Sequence, residues 1–255
     1  MNIIFAVSGC SKSVTARLFQ ALNQLDGTPT EIFATNDRSI VVGYNQTGAA
    51  GIVATSTSDS GVVAYGCSAR AGSSLADVLG SSSTAYTLLD ETDDDLVAIF
   101  GDSSGITIAA GQGNHRLFIA RFDGGTIVAS HLGLLARSIE GVCIDRSVET
   151  FTLGYGFVPG QATIYKGISW LPPGIRLNLS TGTQIPIKSI PHEVSPATSN
   201  RSQAVSTLHD LILDATTSKV GRSDRVAVLL GGLDSALVAA LLRRQGLEVH
   251  TFTFG

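Results

Sequence analysis

The sequence predicts a layered α+β domain followed by the beginning of an α/β domain that is built on a parallel sheet. Short apolar runs divided by Gly, Ser, Thr and Asn recur through residues 3–130, which indicates antiparallel strands with helices beside them. Near the end of the chain a strand, a glycine turn, a helix and a second strand follow one another, the order expected of a parallel sheet. A stretch at 189–201 that is rich in Pro, Ser and Thr separates the two patterns.

The composition narrows the class of protein. The chain has 255 residues, enough for one large or two ordinary domains, and a net charge of −4. This charge gives no electrostatic support to a nucleic-acid or anionic-membrane partner, and no apolar run is long enough for a membrane helix. Cys10, Cys67 and Cys143 are odd in number and widely spaced, so we expect reduced thiols in a cytoplasmic protein, without a disulfide framework or a metal cluster.

The first part of the chain predicts a strand, a helix and then further strands. The apolar run at 3–7 is too short for a signal peptide and is interpreted as a strand. Apolar residues recur at helical spacing over 12–25, behind serines that are able to cap, which predicts a helix. Strands are predicted at 40–44, 51–54 and 62–65, short helices at 74–79 and 84–89, and a solvated acidic loop at 90–95.

A second block of strands is predicted after residue 95, at 96–102, 106–109, 117–120 and 126–130. A helix is expected from His131 to Arg137. Pro172 and Pro173 precede Gly174, which predicts an extended segment and a turn before a hairpin over 175–187. Past 201 one helical stripe is expected to pack against the sheet of the final motif; its members are Ala204, Leu208, Leu211, Ile212 and Ala215.

The final motif is a strand that ends near Leu230, a turn at Gly231 and Gly232, a helix from Asp234 onward and a second strand from Glu248. Paired glycines allow an anion to approach the backbone, and the free N–H groups and dipole of a helix start favour negative charge. The motif is not a Walker A loop, because no Gly-Lys-Ser/Thr follows. Two interpretations stay open: a phosphate site, or a turn that binds nothing.

Three stretches resemble asparagine synthetase-like enzymes. The sequence from Leu230 to Ser235, LGGLDS, resembles the SGGLDS pyrophosphate loop of their ATP pyrophosphatase domain. Residues 152–174 resemble the segment G-F-V-P-x-x-x-T-I-x-x-G-I-x-x-L-P-P-G that joins the two domains of these proteins. Residues 127–135 resemble F-A-S-E-x-K-x-L-L of the glutamine amidotransferase domain, with His131 and Gly133 in place of Glu and Lys. We assign His131 no catalytic role.

The resemblance implies the domain plan. Residues 1–188 would form a degenerate glutamine amidotransferase-like domain with the αββα layers of N-terminal nucleophile hydrolases. Residues 189–201 would be the linker, and residues 202–255 would begin an ATP pyrophosphatase domain of the adenine nucleotide alpha hydrolase-like kind. Because the family's domain continues well beyond the point that corresponds to Gly255, we expect a C-terminally truncated piece, inactive alone unless a second polypeptide completes it.

The chain departs from the family pattern at positions that carry chemistry. The family nucleophile is a cysteine directly after Met, and Asn2 stands there; a carboxamide cannot act as that nucleophile. Cys10 lies beyond the first strand, in the wrong place, and no convincing counterpart of the R-G-P-D and N-G-E glutamine-binding motifs is present. The glutaminase is therefore expected to be inactive. At the other site, the leading serine of the pyrophosphate loop is Leu230.

The resemblance also implies ATP and Mg²⁺ as cofactors. The loop from Leu230 onward would hold the pyrophosphate of ATP through the backbone N–H groups of Gly231, Gly232, Leu233, Asp234 and Ser235 and through the Ser235 hydroxyl. Asp234 would also reach Mg²⁺, which prefers oxygen ligands. Val228 and Phe254, near the ends of the two strands, would flank the adenosine. For Phe254 a plain core aromatic is the alternative interpretation.

Three hypotheses for function follow. The loss of glutamine hydrolysis is shared with β-lactam synthetases and lasso peptide cyclases, and the chain looks most like the cyclases. The first hypothesis is therefore ATP-dependent macrolactam closure on a precursor peptide, with a cysteine-protease-like enzyme as maturation partner. The second is an asparagine synthetase that uses free ammonia. The third is a non-catalytic binding module in which Leu230 has disabled the loop.

Overall fold

In the computed structural model, two sets of residues form separate compact units, one within residues 3–187 and one within residues 200–254. The structure describes residues 3–24, 31–34, 41–45, 52–56, 60–65, 97–102, 105–111, 116–122, 125–187, 200–220 and 224–254. Asn2, Cys67, the predicted helices 74–79 and 84–89, the acidic loop and most of the predicted linker lie outside these ranges. The predicted domain boundaries therefore stay a prediction.

The N-terminal unit is built from two antiparallel sheets. Its described strands are β1 (Ile3–Ser8), β2 (Glu31–Ala34), β3 (Val41–Asn45), β4 (Ile52–Ser56), β5 (Ser60–Tyr65), β6 (Val97–Asp102), β7 (Gly105–Ala110), β8 (Phe118–Phe122), β9 (Gly125–Ala129), β10 (Ile168–Trp170), β11 (Ile175–Asn178) and β12 (Gln184–Pro186). The first sheet has the order β10-β8-β9-β1-β3-β2, and the second has the order β12-β11-β7-β6-β5-β4. The strands expected from apolar runs are present, β11 and β12 form the expected hairpin, and β2 and β10 are additional.

The alternation of side chains along β1 and β9 divides the core into two clusters. Ala6 pairs with Val128, and both belong to the cluster that lies between the two sheets. The neighbouring pair, Val7 and Ile127, belongs to the cluster on the opposite face of the first sheet. Successive residues of a strand point to opposite faces, so one register fixes both clusters.

Two helices cover the outer face of the first sheet. They are α1 (Lys12–Asn23) and α2 (Leu132–Ser138). Leu18, Leu22, Leu134 and Leu135 are fully buried there, each contributing about 1.5–3 kcal/mol by burial. The described layers are thus helix, sheet, sheet. A fourth layer from 74–79 and 84–89 would fall outside the described residues, so the full αββα order stays a prediction.

The expected side-chain cap of α1 by a serine does not form. Ser11 occupies the N-cap position, but its side chain makes no hydrogen bond to the backbone of the first turn. Its hydroxyl lies 2.9 Å from the hydroxyl of Ser13 instead. The helix is therefore held by its buried apolar face, with Val14, Leu18 and Leu22 on it, and not by its cap.

A further helix, α3 (Arg146–Tyr155), is not among the predicted elements. Asp145 caps its start by accepting a hydrogen bond from the N–H of Ser147 at 3.1 Å, and Gly156 ends it in the left-handed conformation at φ +77°. The pKa of the Asp145 carboxyl lies below its ordinary value, chiefly because Ser147 donates to it. Although α3 carries several apolar residues, none is buried.

Gly125 begins β9 where that strand passes the backbone that follows β1. Its φ is +127°, and a Cβ atom there would lie 2.3 Å from the carbonyl oxygen of Ser8 and 2.7 Å from the amide nitrogen of Cys10. Backbone atoms cannot yield as a flexible side chain can, so the pairing of β1 and β9 requires glycine at this position.

We expect Gly125→Ala to lower the free energy of unfolding of the N-terminal unit by roughly 3 kcal/mol, because steric overlap and positive φ both oppose a side chain. Denaturant unfolding followed by the fluorescence of Trp170, the one tryptophan of the chain, measures this. Gly141→Ala is the control: its φ is +75° but no atom lies within 4 Å of the added Cβ, so a loss of about 1 kcal/mol is expected. Equal losses in both variants would contradict the steric argument.

His131 is the N-cap residue of α2. Its Nδ1 accepts a hydrogen bond from the N–H of Leu134 at 3.0 Å. Nδ1 therefore carries no proton, and the ring is neutral. The pKa of His131 lies below its ordinary value, first because burial disfavours the charged ring and second because Arg137 is nearby. The absence of a side chain at Gly133 leaves room for the ring: a Cβ there would lie 3.0 Å from its Cε1.

The stability of the N-terminal unit should therefore fall as the pH is lowered below 6.5, the ordinary pKa of histidine. The unfolded chain binds the proton first, so stability is lost between 6.5 and the lower folded-state pKa. Asn caps helices without titrating, so His131→Asn should remove this part of the pH dependence. Unfolding curves of both proteins at pH 5 to 8 test it, and identical pH dependence would contradict the assignment.

The C-terminal unit contains α4 (Arg201–Val220), β13 (Arg225–Leu229), α5 (Leu233–Arg244) and β14 (Glu248–Phe252). The two strands pair in parallel, as predicted. Leu241 and Leu242 of α5 are buried, and α5 contacts both strands. No helix in the described part of the chain is long and apolar enough to cross a membrane.

The expected packing of the α4 stripe against this sheet is wrong. Leu208 is 58% exposed and Leu211 is 62% exposed, and α4 contacts α5. Because α5 occupies the covered side of the two strands, α4 meets a helix and leaves part of its apolar stripe in solvent.

Candidate functional site

The glycine turn connects β13 to α5. The N–H of Leu230 donates to the carbonyl oxygen of Phe252 at 2.7 Å, which extends the pairing of β13 and β14 by one residue. Gly231 and Gly232 follow in solvent, and α5 begins at Leu233. The Leu230 N–H is thus used by the sheet, and a phosphate would have to bind the groups that come after it.

Ser235, in the first turn of α5, organises the glycine turn. Its hydroxyl oxygen accepts hydrogen bonds from the N–H groups of Gly231 at 3.0 Å and Gly232 at 3.2 Å. The same hydroxyl lies 3.0 Å from the carbonyl oxygen of Gly232, to which it donates. The two glycine N–H groups therefore already have an acceptor. A phosphate would bind them by taking the place of the hydroxyl oxygen.

The backbone of the turn is open to a ligand. A Cβ atom added at Gly231 or Gly232 would meet no heavy atom within 4 Å. Gly232 has a φ of 177°, which is extended backbone that any residue adopts. Neither the surrounding packing nor the conformation of Gly232 requires glycine there. The N–H groups of Leu233 and Asp234 lie in the first helical turn, which offers them no intrahelical acceptor.

Asp234 brings a carboxylate to the same helix start. Its side chain is exposed and forms no hydrogen bond or ion pair with the residues that the structure describes. The described part of the chain holds no group of three His, Cys, Asp or Glu residues placed for a metal ion. A Mg²⁺ ion often keeps several waters and binds through one or two carboxylates plus phosphate oxygens, so one carboxylate beside a phosphate site fits that chemistry.

The two residues expected to flank adenosine lie in different environments. Val228 is half-buried within β13, opposite Thr251. Phe254 lies two residues past the end of β14 and is 88% exposed, so it is not a core aromatic in this structure. An exposed ring is available for stacking on a base, and its contact with adenosine stays a prediction.

Cys10, the cysteine nearest to the start of the chain, has the properties of a structural thiol. Its sulfur lies 3.6 Å from the carbonyl oxygens of Ser8 and Thr126, to which the thiol donates. Burial raises the pKa of Cys10 to about 11. Only a thiolate is strongly nucleophilic, so Cys10 does not replace a nucleophile at position 2. Asn2 itself lies outside the described residues.

Comparison with known proteins extends the resemblance seen in the motifs. Over 149 residues, 54% of its length, the chain is 31% identical to proteins named "Putative asparagine synthetase (glutamine-hydrolyzing)" from Mycobacterium bovis and from two strains of Mycobacterium tuberculosis. The chain is similar to asparagine synthetase-like proteins. It spans 23% of the length of these relatives.

No protein-family model matches the chain. Among solved structures, a glutamine phosphoribosylpyrophosphate (PRPP) amidotransferase from B. subtilis, complexed with ADP and GMP, aligns with 98% of this chain and 65% of its own, at a TM-score of 0.40 and 11% sequence identity. The asparagine synthetase-like assignment therefore depends on the mycobacterial sequences and on the motifs.

The hydrogen bonds of Ser235 to its own loop could not be predicted from the motif. In a capping box the side chain of the third helical residue, usually Glu or Gln, reaches back to the N-cap backbone. Ser235 stands at that position. Because serine is not the usual residue there, the sequence indicates Ser235 only as a hydroxyl for phosphate. The structure adds that the hydroxyl first binds its own loop.

Ser235→Ala should leave the N–H groups of Gly231 and Gly232 to solvent and destabilise the turn by about 1 kcal/mol. Amide hydrogen exchange of these two glycines should then be about fivefold faster. Ser235→Thr keeps the hydroxyl and should retain slow exchange. If the alanine variant exchanged as slowly as the unmodified protein, the hydroxyl would not hold the turn.

Proposed function

We propose that the glycine turn binds the pyrophosphate part of ATP and that the protein is an asparagine synthetase-like ligase that forms an amide bond. The open backbone of Gly231 and Gly232 at the start of α5 is the observation that carries the proposal. N–H groups at a helix start, together with the helix dipole, are suited to phosphate. Because the chain spans 23% of its relatives' length, the whole reaction is part of the proposal.

The residues of the turn fit ATP and Mg²⁺. The N–H groups of Gly231 to Ser235 would hold phosphate oxygens, and Asp234 would provide a carboxylate for the metal. ATP would activate a substrate carboxylate as an acyl-adenylate. Phe254 would stack on the adenine, and the half-buried Val228 would form the floor below it. For the glycine N–H groups to bind phosphate, the Ser235 hydroxyl would turn from accepting their hydrogen bonds to donating one to a phosphate oxygen.

The amine that attacks the activated carboxylate would come from the substrate itself. Asn2 cannot act as the glutaminase nucleophile, and the half-buried Cys10 thiol, whose pKa is raised, does not replace it. Without ammonia from glutamine, intramolecular closure of an amide ring on a precursor peptide is the proposed reaction, as in lasso peptide cyclases. A cysteine-protease-like maturation enzyme is the proposed partner, and the cytoplasm the proposed location.

A second candidate is an asparagine synthetase that uses free ammonia. The names of the mycobacterial relatives favour its asparagine synthetase chemistry, but they describe glutamine-hydrolyzing enzymes, so the use of free ammonia rests on Asn2 alone. Such an enzyme would activate aspartate instead of a peptide carboxylate. A third candidate, a binding module without catalysis, is favoured by Leu230, which lacks the hydroxyl of the family loop.

Leu230→Ser should strengthen the binding of magnesium pyrophosphate by about 10- to 100-fold, because a hydrogen bond to a charged group contributes roughly 1.5–3 kcal/mol. Isothermal titration calorimetry measures the change. Leu230→Ala is the matched control, since it removes the leucine side chain without adding a donor, and it should bind like the unmodified protein. Equal gains in both variants would show that the leucine bulk, and not the missing hydroxyl, limits binding.

Exchange of labelled pyrophosphate into ATP by the full-length protein separates the three candidates. With a precursor peptide as the only carboxylate, peptide-dependent exchange is expected for the cyclase. Exchange with aspartate instead of peptide would select the ammonia-dependent synthetase. If the protein binds MgATP but shows no exchange with either carboxylate, both ligase candidates are contradicted and the binding module is the remaining candidate.

A further inference from the structure

A cavity of about 170 Å³ lies within the N-terminal unit, where the loop after α3 meets the first sheet. Its wall is mainly apolar and carries one cationic side chain; the principal residues are Arg116, Phe118, Leu132, Val158, Ile164 and Trp170. Val158, Ile164 and Trp170 belong to the stretch 152–174, whose sequence resembles the family segment but predicts no chemistry. The proposed ligase reaction does not use this cavity.

Hydrogen bonds hold the wall of the cavity in place. The N–H of Trp170 donates to the carbonyl oxygen of Gln161 at 2.7 Å. Thr163 is 5% exposed; its hydroxyl donates to the carbonyl oxygen of Ile168 at 2.8 Å and accepts from the N–H of Tyr165 at 3.1 Å. The N–H of Asp145 donates to Ile164 at 2.8 Å. The cavity is therefore pre-formed, which lowers the entropy that a ligand would lose on binding.

The size of the cavity limits what it can hold. An apolar cavity of about 150 Å³ accommodates benzene. A volume of about 170 Å³ therefore suits one phenyl ring or one branched aliphatic group. It is too small for a nucleotide or a drug-sized ligand, which need roughly 300–1,000 Å³.

The one cationic side chain of the cavity wall indicates which charged group the ligand has beside its apolar group. Arg116 is the one charged residue of the lining among the described residues. Its guanidinium carbon lies 5.2 Å from the centroid of the Trp170 ring, and the side chain makes no hydrogen bond or ion pair with the described part of the chain. A guanidinium oriented by an aromatic face, with its N–H donors available, binds a carboxylate well.

We propose that this cavity binds an apolar group with a carboxylate next to it. The apolar group would lie among Phe118, Leu132 and Val158, and the carboxylate would accept hydrogen bonds from Arg116. Such chemistry occurs in free aryl or branched aliphatic carboxylates and at the C-terminal residue of a peptide. The proposal concerns the N-terminal unit alone and does not depend on ligase activity.

Trp170 is the one tryptophan of the chain, so its fluorescence reports on this cavity directly. Titration of the full chain with phenylacetate should give a saturable change, with a dissociation constant on the order of 1 mM. Phenylacetamide, the neutral isostere, should bind about 10- to 100-fold more weakly, because it lacks the charge that Arg116 recognises. No saturable change with any carboxylate, or equal binding of acid and amide, would overturn the proposal.

A peptide arm distinguishes the two sources of the carboxylate. Gly-Gly-Phe with a free C-terminus is compared with the same peptide as its C-terminal amide. If the free peptide binds more tightly than phenylacetate, the site recognises a peptide end; if it binds more weakly, the site recognises small carboxylates. In both cases the amide peptide should bind more weakly than the free peptide. Tighter binding of the amide peptide would contradict the proposal.

Three variants locate the binding. Arg116→Met should weaken phenylacetate about 10- to 100-fold while leaving phenylacetamide unchanged. Arg121→Met removes the same charge from an exposed residue near the end of β8, outside the cavity lining, and should bind like the unmodified protein. Ala162→Leu keeps Arg116 but fills the cavity and should abolish binding, with circular dichroism confirming the fold. Equal weakening by the two arginine variants would overturn the site.

Discussion

The register between β1 and β9 is the constraint on which the N-terminal unit depends. It places Ala6 and Val128 between the two sheets, and Val7 and Ile127 under the helices α1 and α2. A shift of one residue would exchange these sets and put each apolar cluster on the wrong face. Gly125 secures the register, because at its position any side chain would collide with the backbone that follows β1.

In the C-terminal unit, the Ser235 hydroxyl binds the same two N–H groups that the proposed pyrophosphate would bind. The Ser235 hydroxyl accepts hydrogen bonds from the N–H groups of Gly231 and Gly232, which would otherwise be left to solvent. The same two N–H groups are those that a pyrophosphate would need. Because a phosphate oxygen is a charged and stronger acceptor than a hydroxyl, ligand binding can displace this contact at modest cost. The turn is thus kept in shape by a bond that a ligand can replace.

The sequence predicted the regular parts of the fold because burial there follows simple periods. Alternating residues in β1 and β9 and the helical spacing in α1 were sufficient. It missed α3, whose signals are the cap residue Asp145 and the terminal Gly156 rather than a buried face. It also misplaced the α4 stripe, since the partner of a helix depends on tertiary packing. Of the site, the loop and Asp234 could be located from the motif, whereas the acceptor role of Ser235 depends on its rotamer.

The most direct test of the pyrophosphate site is a nuclear magnetic resonance titration of the ¹⁵N-labelled chain with magnesium pyrophosphate. If the turn binds pyrophosphate, the amide resonances of Gly231 and Gly232 shift together and saturate, because their N–H groups exchange the Ser235 hydroxyl for a phosphate oxygen. The amides of Leu233 and Asp234 should follow the same curve. Binding that leaves the two glycine amides unshifted, or no binding at all, would contradict the account.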